Sequence, residues 1–160
     1  MCSFGTDECI SRIVTQYSNT LLRVAMTRLS SPADAEDTVQ EVFLRLLTAK
    51  PHFRDGEHEK AWLIRATIQR AADIRRSRER QNLPLEEAEV ISAPEEGGSE
   101  LLSAIQALPE KYSSVIHLYY YEGYSIQEIA KTLGLPSPTV GTRLSRGRER
   151  LKKLLKEDFA

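Results

Sequence analysis

The 160-residue sequence has few cysteines, no long apolar run and almost no net charge. No apolar stretch approaches the roughly 18 to 20 residues of a membrane-spanning helix. The two cysteines, Cys2 and Cys9, form no metal-ligand spacing with the three scattered histidines, so neither a metal site nor a cofactor is predicted. The N-terminus lacks the basic and apolar regions of a secretion signal, which predicts a reduced, cytoplasmic setting.

Signatures of catalysis are also missing from the sequence. It contains no paired nucleophile and base, no cluster of metal ligands and no glycine-rich phosphate loop. We therefore expect a protein that binds macromolecules, with no small-molecule substrate, rather than an enzyme.

The net charge of −1 hides a segregation of charge along the chain. Residues 51–82 hold eight basic groups against five acidic ones, and residues 83–100 hold six acidic groups and no basic one. Residues 101–160 are again basic, with nine basic groups against six acidic ones. Two basic zones on either side of an acidic strip favour two surfaces that face nucleic acid.

Residues 121–154 predict two helices joined by a tight turn. Ser125 and Glu128 have the spacing of a capping box at the start of the first helix. Gly134 is placed to end that helix in the left-handed conformation. The buried side of the first helix is predicted to consist of Ile126, Ile129, Ala130 and Leu133.

Ser137 followed by Pro138 predicts the cap and first residue of the second helix, which is strongly basic. This pattern is a helix-turn-helix, in which the N-terminal part of the second helix contacts base edges in the major groove. A solvated basic helix on an ordinary bundle is the alternative. The candidate contacts to an upstream duplex element are Ser137, Thr139, Thr142, Arg143, Arg146 and Arg148.

Three further helices are predicted before residue 82. Thr6 is a candidate cap for the first, and Ser31 with Pro32 opens the second. The third runs from about Glu59 to Arg80, after a polar loop with Gly56 at its centre. The acidic face of the second helix favours either a solvated surface or a partner-binding surface.

After the acidic strip, Ser99 is predicted to cap a short helix and Pro109 to start the next. The packed side of this later helix is expected to include Tyr112, Val115, Ile116, Tyr119 and Tyr120. The predicted fold class is therefore all-α, with two small helical domains joined by a flexible acidic linker. The expected boundaries are an N-terminal domain at 1–82, a linker at 83–98 and a C-terminal helix-turn-helix domain at 99–160.

Three segments carry a resemblance to a known family: DAEDTVQEVFLRL at 34–46, KAWLIRATIQRAADIRR at 60–76, and the helix-turn-helix segment 107–151. In this order and spacing they resemble the small extracytoplasmic-function sigma factors of bacterial RNA polymerase, in the sigma-70 family. The resemblance implies a transcription initiation factor that binds core RNA polymerase, promoter DNA and an anti-sigma factor.

The resemblance also implies roles for particular residues. The helix-turn-helix would read the minus-thirty-five element as duplex. The candidate contacts to core polymerase are Asp34, Asp37, Gln40, Glu41, Phe43 and Leu44. The candidate contacts to the melted minus-ten element are His52, Phe53, Arg54, Lys60, Trp62, Arg65, Gln69, Arg75 and Arg76.

Some positions depart from the family pattern. Gln69 stands where asparagine is common, and Gly141 with Thr142 replaces a common lysine–serine pair. Gly147 replaces a common alanine, and each glycine inside a helix costs roughly 1 kcal/mol against alanine. We therefore do not transfer the family's promoter sequences to this chain.

Two other functions fit part of the pattern. A stand-alone dimeric regulator would explain the helix-turn-helix but not the 34–46 segment, and it would bind palindromic DNA without polymerase. A degenerate module that sequesters polymerase would bind core polymerase without supporting initiation.

Overall fold

A computed structural model describes residues 7–81 and 98–159 of the protein. Its seven α-helices are α1 (Asp7–Met26), α2 (Pro32–Ala49), α3 (Gly56–Arg80), α4 (Gly98–Ala107), α5 (Glu110–Ile116), α6 (Ile126–Leu133) and α7 (Ser137–Phe159). A π-helical turn, His117–Tyr121, continues α5. The part of the chain that the structure describes contains no strand, so the all-α, two-domain organisation with a C-terminal helix-turn-helix is confirmed.

The N-terminal domain packs α1, α2 and α3 around a shared apolar core. The predicted start of α2 is confirmed, because the Ser31 hydroxyl accepts a hydrogen bond from the Asp34 amide at 3.3 Å and Pro32 follows the cap. Ile13, Leu21 and Leu63 are fully buried in this core.

The start of α3 differs from the prediction. The helix begins at Gly56, three residues before Glu59, so Gly56 is not the centre of the loop. Asp55 caps it, since its Oδ1 accepts a hydrogen bond from the His58 amide at 2.8 Å. An aspartate cap with acidic residues in the first turn is favourable at the positive end of a helix, which accounts for the earlier start.

Two helices in the C-terminal domain also begin earlier than predicted, α4 by two residues and α7 by one. α4 begins at Gly98, so Ser99 lies inside its first turn and does not cap it. α7 begins at Ser137, and the Pro136 carbonyl accepts hydrogen bonds from the Thr139 and Val140 amides. The predicted cap Thr6 and linker residues 83–97 lie outside the described residues.

The helix-turn-helix forms as predicted in its first helix and turn. Ser125 and Glu128 complete a capping box at the start of α6, and Gly134 ends that helix with φ of 70°. α7 then packs on α6 and α5 through Val140 and Leu144, which are buried.

The tyrosines after α5 are more exposed than the sequence predicted. Tyr120 is 52% exposed and Tyr119 is 36% exposed, so their assignment to the packed side was wrong. The cause is the π-helical turn, closed by the Glu122 amide on the His117 carbonyl at 3.2 Å. Such a turn inserts one extra residue and rotates the following side chains away from the helix stripe.

Two further observations concern the length of the apolar segments and the cysteines. No helix in the ranges 7–81 and 98–159 is long and apolar enough to cross a membrane. Cys9 is buried near the start of α1. Cys2 lies outside the described residues.

Candidate nucleic-acid interface

The N-terminal half of α7 forms a polar surface beside α5. A shallow depression of about 360 Å³ is lined by Lys111, Tyr112, Pro138, Thr139, Thr142, Arg143 and Arg146. Four of the six predicted duplex contacts therefore share one surface. Lys111 of α5 joins them and was missed, because nothing local in the sequence indicates which face of α5 adjoins α7.

The other two predicted duplex contacts lie elsewhere. Ser137 is exposed at the first position of α7. Arg148 faces a separate groove, where its Nη1 donates to the Tyr120 hydroxyl at 3.1 Å. Its position, five residues after Arg143, turns it about 140° around the helix from that side chain.

Packing explains one of the two glycines in α7. A Cβ atom at Gly147 would lie 3.1 Å from Ile116 Cγ1 and 3.3 Å from Tyr112 Cβ. Gly147 therefore allows α7 to approach α5 closely. Nothing lies within 4 Å of a Cβ atom at Gly141, and nothing in the structure explains this glycine.

The loop between α2 and α3 and the first turns of α3 form an aromatic pocket. Phe53 is buried and makes edge-to-face contacts with His58, at a centroid distance of 5.4 Å, and with Trp62, at 6.0 Å. The adjoining cavity measures about 650 Å³. It is lined by Arg54, Asp55, Glu57, His58, Ala61, Trp62, Arg65 and Lys131. An aromatic wall with cationic groups suits a stacked base and its phosphate.

Not every predicted minus-ten residue lies at this pocket. His52 directly precedes Phe53 in the sequence, and its side chain is exposed. Arg76 forms an ion pair with Asp73 at 2.5 Å. Gln69 lines a different depression, formed with Arg70 and other residues of α2 and α3. The structure therefore places Gln69 apart from the aromatic pocket.

Two predicted minus-ten arginines contact the C-terminal domain. Arg65 Nε donates to the Thr132 carbonyl at 2.8 Å, in the last turn of α6. Arg75 Nη1 donates to the Gln106 carbonyl at 2.7 Å, in α4. Each guanidinium thus satisfies a carbonyl near a helix C-terminus, where positive charge is favourable.

Lys60 and α1 add further contacts between the domains. Lys60 Nζ lies 4.1 Å from the centroid of the Tyr124 ring, within the range of a cation–π interaction. The Gln106 amide nitrogen donates to the carbonyls of Met26, at 2.6 Å, and Leu29, at 3.0 Å. In this conformation the C-terminal domain covers part of the predicted minus-ten surface.

Glu122 is a buried carboxylate that forms an ion pair between the domains. It accepts hydrogen bonds from Arg23 Nε at 2.9 Å and Arg23 Nη2 at 3.0 Å, and it lies 2.9 Å from His117 Nε2. Burial alone would raise the pKa of Glu122, but the hydrogen bonds and charges of His117 and Arg23 outweigh it and lower the pKa to about 2. Burial first, and then the nearby carboxylates Glu122 and Glu128, raise the pKa of Tyr124 to about 12.

The outer face of α2 carries the predicted polymerase contacts. Asp37, Gln40 and Leu44 are exposed, and Leu44 is 61% exposed. Glu41 is exposed but pairs with Arg70 at 2.6 Å.

The other two predicted polymerase contacts, Asp34 and Phe43, are partly covered by neighbouring residues. Asp34 accepts a hydrogen bond from Arg78 Nη2 at 2.9 Å, and Phe43 is partly buried against the core. Leu47 is 41% exposed and lies one turn from Phe43. Two exposed leucines on an acidic helix form a mixed surface suited to a protein partner.

Comparisons with known proteins match two separate parts of the chain to family descriptions. The family described as Sigma-70 region 2 matches residues 13–81, and the family described as Sigma-70, region 4 matches residues 99–151. The chain is 30% identical to the ECF RNA polymerase sigma factor SigW of Bacillus subtilis, over 96% of this chain and 92% of that protein. It is also 30% identical to SigE of Mycolicibacterium smegmatis, over 89% of this chain but only 60% of that longer protein.

Solved structures share the fold. The sigma factor RpoE of Bartonella quintana, in complex with the anti-sigma factor NepR, superposes with a TM-score of 0.73 at 25% identity, covering 91% of this chain and 96% of that one. CnrH in complex with the cytosolic domain of CnrY gives a TM-score of 0.68 at 26% identity, covering 96% and 92%. Together with the matched regions and the aligned relatives, these similarities show that the chain belongs to the extracytoplasmic-function group of the sigma-70 family of RNA polymerase sigma factors.

Proposed function

We propose that this protein binds core RNA polymerase and directs it to promoters as a sigma factor. The observation that carries the proposal is the presence, in one chain, of an aromatic pocket at the α2–α3 junction and a separate basic recognition helix. The first surface suits an unstacked base and the second suits duplex DNA. The protein would supply recognition rather than catalysis, and it would act beside polymerase in the cytoplasm.

We assign residues 1–82 to polymerase and minus-ten binding, 83–98 to a linker and 99–160 to minus-thirty-five binding. At the minus-ten element, His58 and Trp62, both packed against the buried Phe53, would hold a base removed from the stack. Unstacking a base costs a few kcal/mol, and stacking on an aromatic side chain returns roughly 1–3 kcal/mol. Loading of the melted strand would require Lys60 and Arg65 to release the C-terminal domain.

At the minus-thirty-five element, Arg143 and Arg146 would contact base edges and Lys111 a phosphate. A good bidentate contact from arginine to a base contributes roughly 1–3 kcal/mol of discrimination. Affinity from the phosphate contacts would fall steeply as the salt concentration rises.

On polymerase, the exposed acidic and apolar face of α2 would form the docking surface. We also propose an anti-sigma partner, because the sigma factors in both superposed structures are bound to one or to a partner's cytosolic domain.

The test is run-off transcription by core polymerase, freed of other sigma factors and mixed with this protein on a promoter library. Stoichiometric core binding with selective initiation is the expected result. Core binding without initiation would instead identify a polymerase-sequestering module. Dimeric binding to a palindromic duplex, with no core binding, would identify a stand-alone regulator.

A further inference from the structure

The first turn of α3 contains a carboxylate that lies inside the N-terminal domain. Glu59 is only 2% exposed. Arg12 of α1 approaches it with both terminal nitrogens, Nη2 to Oε2 at 2.7 Å and Nη1 to Oε1 at 3.2 Å. The Tyr17 hydroxyl donates to Oε1 at 3.3 Å, so α1 holds this carboxylate from two directions.

This network adjoins the aromatic pocket through the backbone. Glu59 follows His58 directly, and its amide donates to the Asp55 carbonyl at 3.1 Å. The Arg54 amide donates to His58 Nδ1 at 3.0 Å, and the His58 ring contacts Phe53. A change in the orientation of Glu59 would therefore be transmitted directly to the ring that forms one wall of the pocket.

The burial of Glu59 favours a positioning role over a stabilising one. Removing this carboxylate from water offsets much of its attraction to the half-exposed Arg12 guanidinium, so an apolar side chain at a buried charged position often gives equal or greater stability. The bidentate Arg12 contact and the Tyr17 hydrogen bond do, however, fix one orientation of the carboxylate. An apolar side chain at position 59 would pack in the same space without such directional contacts.

We infer that Glu59, held by Arg12 and Tyr17, is a positioning residue that sets the geometry of the aromatic pocket for the melted minus-ten strand. The inference rests on the proposed function for its consequence in transcription. The effect of Glu59 on the shape of the pocket can be measured in the absence of DNA.

The test variant is the double substitution Glu59→Leu with Tyr17→Phe. It removes the carboxylate together with the buried hydroxyl that would otherwise lose its acceptor. Arg12 keeps its 2.8 Å contact with Gln16 and a side chain that is 41% exposed, so its charge stays hydrated. Gln16→Ala is the matched control, because it removes a different Arg12 contact and leaves Glu59 in place.

Trp62 reports the pocket directly, since it is the only tryptophan in the sequence. We expect the double variant to keep cooperative unfolding by circular dichroism while acrylamide quenches Trp62 fluorescence more strongly. The control should match the unsubstituted protein in both measurements. Unchanged quenching in a folded double variant would overturn the inference.

Initiation by the reconstituted holoenzyme gives the second readout. We expect the double variant to open promoters roughly 10- to 100-fold more slowly. A misplacement of about 1 Å in a reactive site lowers rates on this scale. Core binding and duplex binding upstream should be unchanged. Loss of all three together would show that the network acts only on stability and would overturn the inference.

Two further measurements distinguish an unfolded variant from a failure of the proposed function. Glu59→Gln, which keeps the shape of the side chain, is measured in the same way if the double variant does not fold. If the unsubstituted protein supports no initiation, the proposed function fails, and the Trp62 measurement still decides whether Glu59 positions the pocket.

Discussion

Replacing Glu122 by glutamine should weaken the contact between the two domains in a pH-dependent way. The carboxylate is 7% exposed and accepts two hydrogen bonds from Arg23 of the other domain. The substitution keeps the shape of the side chain but removes its charge. Any decrease in the free energy of unfolding should therefore come from the lost ion pair and not from a cavity.

The magnitude follows from the lowered pKa of Glu122. A carboxyl whose pKa falls from 4.5 to about 2 contributes at most about 3.4 kcal/mol at neutral pH. Because the Arg23 side chain is 50% exposed, water screens part of this attraction, and we expect about 2 kcal/mol. The contribution is fully present above about pH 4.5, where the unfolded state is also ionised, and is lost as the pH falls towards 2.

The assay is urea unfolding of the protein and of Glu122→Gln at neutral pH and at pH values from 4.5 down to about 2. The difference in unfolding free energy should be largest at neutral pH and should shrink as the pH approaches 2. Glu79→Gln is the matched control, because Glu79 is 55% exposed and pairs with Arg75 at 3.3 Å within the same helix, so it should contribute less than about 1 kcal/mol. A difference that is absent at neutral pH, or that is the same at every pH, would refute the reasoning.

Three further predictions concern the turn and the two binding surfaces. Gly134→Ala should lower the unfolding free energy by roughly 1–2 kcal/mol in urea titrations, because Gly134 has φ of 70° and a Cβ atom there would lie 2.7 Å from Arg65 Nη2; a neutral effect would contradict this. Arg143→Ala should lower affinity for the upstream element and relax base preference there by roughly 1–3 kcal/mol in competition binding, and unchanged selectivity would exclude it as a base contact. Leu44→Lys should weaken core polymerase binding in pull-down titrations without shifting the urea midpoint, since Leu44 is 61% exposed; full core binding would remove α2 as the docking surface.

Features set by local chemistry could be predicted from the sequence. Ser31 with Pro32 and the Ser125–Glu128 pair mark helix starts through contacts within three residues, and Gly134 marks a left-handed end. These signals need no tertiary information, so the order of helices and the helix-turn-helix followed directly.

Features set by tertiary contacts could not be predicted in this way. Glu59 is expected at the surface of an isolated helix, but Arg12, 47 residues earlier in the chain, allows its burial. Arg65 was assigned to DNA, yet in this conformation it donates to a carbonyl 67 residues away. The π-helical turn that exposes Tyr120 has no periodicity that distinguishes it from an α-helix in the sequence.

The most direct test of two-domain promoter recognition is site-specific photo-cross-linking of the reconstituted holoenzyme on a selected promoter. Photoreactive groups would replace the side chains of Trp62 and Arg143 in separate proteins. We predict that position 62 cross-links to single-stranded DNA of the melted minus-ten element and that position 143 cross-links to duplex DNA of the minus-thirty-five element. Cross-links from both positions to the same duplex element, formed equally well without polymerase, would contradict the account.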